Sequence, residues 1–175
     1  MKQKRILLAI LILMMASCQS KKAANLKTVF EQKDRAVFNV MVGKNGPSDR
    51  KLACLTMGDY KCALREIDAE ERAFDKIIGE INALRTGDIK HGNELKTAAA
   101  NYYTAVKELE ISERFTIAQQ LISQNKANTE AVRDAATHKQ LQLSKDKMEM
   151  HKIISKKEQL YADAKKKFDS VNHLD

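Results

Sequence analysis

Helix-breaking punctuation is nearly missing from this chain, and no other feature of it limits the fold so tightly. One proline and six glycines serve 175 residues. The proline and two of the glycines fall together in Gly43-Lys44-Asn45-Gly46-Pro47-Ser48. Hairpin-rich and α/β folds need turn residues about every ten positions, so an all-α fold remains. Five Phe, four Tyr and no Trp, with 43% hydrophobic and 31% charged residues, suit a helical domain with one modest core. Collagen-like, low-complexity and polytopic membrane classes are excluded.

Apolar periodicity divides the chain. Leu26, Val29, Phe30, Val37, Val40 and Met41 mark a helix over residues 23–42, closed by the Gly-Asn-Gly-Pro loop. Ser48 or Asp49 can cap the next one. Tyr60, Leu64, Ile67, Phe74, Ile78 and Ile81 form one stripe within a helical region over residues 49–85, which Thr86-Gly87-Asp88 stops, with Gly87 as a left-handed cap. Leu95, Ala99, Tyr102, Val106, Leu109, Ile117 and Leu121 predict a third helix over 93–124, and a polar break offers Asn128 or Thr129 as a cap. The last helix, 130–171, is patterned from Met150 through Ile154, Tyr161, Ala164, Phe168 and Val171 but weakly apolar before that. Long stripes joined by short loops bury themselves by folding back on one another. The expectation is an elongated antiparallel bundle of three long helices plus a shorter N-terminal helix, forming a single domain over residues 23–175.

The N-terminus carries an address. Lys2, Lys4 and Arg5 precede an unbroken apolar run over residues 6–16. A bilayer-spanning helix needs about twenty such residues, so the run predicts a signal-peptide core. Met15-Ala16-Ser17-Cys18 follows at once, and it resembles the lipobox of bacterial lipoproteins, with Met15 where that family prefers leucine. The resemblance implies removal of residues 1–17, a diacylglycerol on the Cys18 thiol and an acylated Cys18 amine, with residues 18–22 as a lipidated, flexible tether. One acyl chain gives reversible attachment, whereas two or three hold a protein at a membrane. Gln19-Ser20 stands where an inner-membrane retention aspartate would be. No acidic cluster follows like the surface-export signals of some Bacteroidota lipoproteins. The implied location is the cell envelope, with the periplasmic face of the outer membrane ahead of the cell surface. In general plan the chain resembles Braun-type helical lipoproteins, but Asp175 replaces the terminal lysine that joins those to peptidoglycan.

Charge is basic without being extreme. Lys and Arg number 31 against 23 acids. Three of the cations fall in residues 1–17, leaving 28 against 23 in residues 18–175. Lys165-Lys166-Lys167 has no aromatic residues interleaved with it, so no nucleic-acid partner is expected. Anionic lipid heads or polysaccharide are the natural contacts of such a surface.

Two further cysteines, Cys54 and Cys62, sit eight residues apart. On one continuous helix their Cα atoms would lie about 12 Å apart, beyond the roughly 4.4–6.8 Å of a disulfide. Gly58-Asp59 is the turn signal between them, so a short helix ending near Met57, a tight turn and a Cys54–Cys62 bridge clamping it are expected; the alternative is two buried thiols on a continuous helix. Catalytic residues and a cofactor are not expected, because His91, His138, His151 and His173 adjoin no nucleophile or zinc motif. Glu66, Asp68, Glu70, Glu71 and Asp75 read as a solvated helix face. Met148 and His151, at i and i+3, are weak candidates for a soft-metal pair that lacks a third ligand. The function expected is that of a non-enzymatic, lipid-anchored helical module that engages a protein partner or an envelope polymer. Alternatives are an immunity or inhibitor lipoprotein against an envelope toxin, and a bundle that binds a small ligand or metal.

Overall fold

A computed structural model describes the backbone of residues 2–174 and the side chains of residues 21–174. Five helices follow one another: α1 (Lys2–Val42), α2 (Pro47–Thr56), α3 (Tyr60–Asn82), α4 (Gly92–Gln124) and α5 (Glu130–Asn172). No strand occurs among the described residues. The chain is all-α, as its lack of turn residues dictates.

Local chemistry sets the boundaries. α1 has no glycine or proline to interrupt it, so Lys21 and Lys22, expected in a flexible tether, are helical. Gly46 is the N-cap of α2 with Pro47 in its first turn, where a missing N–H costs nothing. Asp49 does not cap the helix; its carboxylate accepts from the Asn45 N–H at 2.9 Å. The helical region over residues 49–85 is two helices, divided at the turn expected at Gly58-Asp59. α2 stops at Thr56, Gly58 takes φ +72°, and the Asp59 carboxylate caps α3 by accepting from the Cys62 N–H at 2.9 Å. α3 ends at Asn82, short of the expected stop, and Gly87 is not left-handed; His91 is, with φ 56°, immediately before α4. Thr129 caps α5.

Polar cross-links give the register. Tyr60, Asp68 and Asp75 of α3 meet Gln124, Arg114 and Lys107 of α4, so partner numbers fall on one helix as they rise on the other. Glu94, Glu113 and Ser123 of α4 likewise meet Lys167, Lys147 and Gln140 of α5. α1 is pinned by Lys33 to Glu80 and by Lys27 to Asp169.

The interior is in two parts. Phe30, Phe74, Ile81, Leu95, Tyr103 and Phe168 centre the larger cluster, built from α1, α3, α4 and α5. Cys54, Ala63, Ile67 and Ile117 centre the smaller, built from α2, α3 and α4. Full burial of each Phe, Ile or Leu contributes about 1.5–3 kcal/mol. Between the two clusters in the numbering of α3 and α4 lie Glu70, Glu110 and Glu113, which converge on Lys51 of α2. The first half of α5 contributes little: Ala136 is its one buried side chain before Tyr161.

Candidate binding cleft and buried charge cluster

Asp34 projects from α1 toward α5, three residues before the buried Val37 and four after the buried Phe30. An acid at a core-facing position needs donors, and three reach it. Its Oδ1 accepts from the hydroxyls of Tyr103 and Tyr161, the latter at 2.8 Å. Oδ2 accepts from Lys165 Nζ at 2.7 Å. Lys165 also lies 5.2 Å from the centroid of the Tyr161 ring, within cation–π range.

The tyrosines pack on one another. Tyr102 stacks on Tyr161 at 5.9 Å with an interplanar angle of 27°, and Tyr103 meets Tyr161 edge-on at 5.8 Å. Burial raises the pKa of Tyr103 and of Tyr161, and the neighbouring Asp34 raises both further. Burial also raises that of Tyr102, with added repulsion from Glu158 and Asp34. All three phenols therefore stay neutral and can donate hydrogen bonds across the physiological range.

Above this floor opens a cleft of about 380 Å³, walled by Phe38, Met41 and Val42 of α1, Tyr102 of α4, and Glu158 and Ala162 of α5. Phe38 is 63% exposed and Val42 60% exposed. Large apolar side chains left in water at the rim of a concave, aromatic surface are the usual composition of a recognition site. Neutral phenols and a carboxylate already held by three donors suit recognition rather than proton transfer.

A second constellation lies at Lys51. Its ammonium meets Glu70 at 2.9 Å, Glu110 at 3.2 Å and Glu113 at 2.7 Å. Glu113 also takes Lys147 at 3.0 Å, and Ser48 donates to Glu70 at 2.5 Å. Glu70 is fully buried, which corrects its reading as part of a solvated face. Seven residues separate Ile67 from Phe74, and Glu70 falls between them on the same stripe. Its neighbours do face outward: Glu66 pairs with Arg50, Asp68 and Glu71 with Arg114, and Asp75 with Lys107. Burial raises the Glu70 pKa against the pull of Ser48 and Lys51. Burial also pushes Glu113 upward, but hydrogen bonds from Lys51 and Lys147 outweigh it and leave that carboxyl below its usual range. Burial would lower Lys51, yet its glutamate partners hold it above the usual lysine value. The ammonium occupies the point where three carboxylates meet.

Cys54 and Cys62 flank the α2–α3 turn with Cα atoms 5.6 Å apart, a disulfide distance. Met148 and His151 are both exposed on α5. No group of three His, Cys, Asp or Glu side chains among the described residues is placed to hold a metal ion. The side chain of Cys18 lies outside the described residues. No helix among those residues is long and apolar enough to cross a membrane.

Sequence reasoning missed Asp34, Tyr103, Tyr161, Lys165 and Phe38 as a group. One signal was available, since Asp34 breaks the apolar stripe of α1 as Glu70 breaks that of α3. No family model, curated protein or solved structure matches the chain.

Proposed function

We propose that the chain is a non-enzymatic, lipid-anchored envelope protein. Lipid on Cys18 would hold it at a membrane, and its elongated antiparallel bundle would dock a protein partner in the cleft between α1, α4 and α5. The observation that carries the docking reading is the pair Phe38 and Val42, exposed beside Tyr102 above the Asp34–Lys165 floor. The lipid reading is supported by the apolar run over 6–16 followed by Met15-Ala16-Ser17-Cys18. The face expected is the periplasmic side of the outer membrane. A toxin held by an immunity lipoprotein would be one such partner.

A photoreactive amino acid at Val42, with His138 on the exposed stretch of α5 as control, tests the docking reading in cells. A discrete crosslinked species from position 42 alone, lost when Phe38→Asp is added, is the expected result. Equal crosslinking from both positions, or none from 42, contradicts it. The volume of the cleft also suits a small apolar ligand with one polar end, and native mass spectrometry of the purified chain would reveal such a species.

A further inference from the structure

The net positive charge of residues 18–175 gathers at one end of the bundle. α1 brings Lys21, Lys22 and Lys27 to that end. The segment between α3 and α4 brings Arg85 and Lys90, and α4 adds Lys96 just beyond its start. The end of α5 adds Lys166 and Lys167. Side-chain contacts tie these segments together: Lys22 to Asp88 at 2.7 Å, Lys27 to Asp169 at 2.8 Å, and the Asn172 amide donating to the Lys90 carbonyl at 3.1 Å.

Eight cations there face three acids among the described residues, Asp88, Glu94 and Asp169. The opposite end differs. Residues 56–63 and 124–134, joined through Tyr60 and Gln124, hold Lys61, Lys126 and Arg133 against Asp59, Glu130 and Asp134, and balance to zero. Lys21, Arg85, Lys90 and Lys166 are exposed on the basic end. Lys21 also lies less than one helical turn from Cys18 along α1.

We propose that this basic end is a docking face for the headgroups of anionic phospholipids, on which the bundle stands upright. The membrane itself is supplied by the lipid reading of Cys18, on which this inference rests. Electrostatic attraction of this kind falls off within a Debye length, about 8 Å at physiological salt, so only the residues nearest the surface contribute. Phe38 lies sixteen residues beyond Lys22 on α1, about 24 Å along a helix axis. An upright posture therefore lifts the cleft clear of the headgroups and leaves it open to a partner.

The test uses the full chain purified from envelopes with its natural N-terminal modification, reconstituted into vesicles of phosphatidylcholine with or without phosphatidylglycerol. Lysine acylation by a membrane-impermeant reagent is read by mass spectrometry. The expected result is labelling of Lys90 and Lys166 that is several-fold slower with phosphatidylglycerol, with the difference closing at high salt and with Lys139 and Lys152 unaffected. Lys90→Glu combined with Lys166→Glu should abolish the corresponding protection at Lys21. Equal rates in both vesicles overturn the proposal, as does slowing by an added anionic polysaccharide but not by phosphatidylglycerol. Failure of the anchor reading shows separately, as failure to float with phosphatidylcholine vesicles. Flotation with phosphatidylglycerol alone then supports the face without the anchor, and flotation with neither overturns both.

Discussion

Glu70 carries no exposed surface, and it is tolerated there because Lys51 and Ser48 supply the hydrogen bonds that water would have made. Removing the lysine is accordingly worse than removing the acid. Lys51→Met takes the ammonium from the buried Glu70 and from Glu110 and leaves Glu113 to Lys147 alone, and should cost about 3–5 kcal/mol, read as a lowered urea midpoint. Glu70→Gln keeps an acceptor for Lys51 while deleting a charge that burial disfavours, so its cost at neutral pH should be the smaller. pH separates the two carboxyls. Burial holds the folded pKa of Glu70 above 4.5, so its contribution to stability is present below that value and lost as pH rises through the raised one. Glu113 has a lowered folded pKa, so its contribution is present above 4.5 and lost as pH falls. Glu70→Gln leaves the Glu113 dependence unopposed. Denaturant titrations should show the variant losing stability more steeply than the native chain on acidification from neutral pH. A parallel pair of profiles would count against this balance.

The α2–α3 break tests how firmly a turn can be assigned from two residues. Gly58 sits at φ +72° with nothing within 4 Å of the position a Cβ would take, so an alanine there pays conformational strain and meets no clash. Gly58→Ala should destabilise by about 1 kcal/mol. Gly79, inside α3 and equally open, should respond oppositely: Gly79→Ala stabilises by about 0.5–1 kcal/mol, because alanine loses less backbone freedom in a helix. Thermal melts of the two variants check the pair of signs. Thiol titration of the denatured, unreduced chain should find neither Cys54 nor Cys62 free, and reduction should remove about 2–3 kcal/mol for a loop this short. Much at this scale was readable beforehand, because glycine, proline and caps act locally. The ends at Val42 and Gln124 and the turn at Gly58 all sit at such signals. Glu70 and the Asp34 cluster were not readable, because each depends on partners from helices far away in sequence: Lys51 from α2, and Tyr161 and Lys165 from α5. Composition and spacing record that an acid interrupts a stripe but not what meets it. In the loop after Asn82 the left-handed residue is His91 rather than Gly87, and the Thr86 and Ile89 carbonyls accept from the Ile89 and Gly92 N–H groups.

Across the whole molecule, packing is uneven in a way that bears on function. α1 ends at Val42, so the cleft opens where its cover of α4 and α5 runs out, and the first half of α5 rests on α4 with Leu141 and Met148 exposed. Amides over residues 138–152 should therefore exchange hydrogen well before those over residues 99–106, which back the larger core; similar protection in both would contradict the light packing of the first half of α5. In the proposed reading the basic end meets a membrane surface and the cleft between α1, α4 and α5 meets a partner. All of that presumes an anchor at the eighteenth residue. Intact mass of the protein isolated from its native membranes decides the matter. The expected species begins at Cys18 and exceeds the peptide mass of residues 18–175 by a diacylglycerol, with or without a further acyl group. A different first residue, or an N-terminal peptide free of lipid, would contradict it.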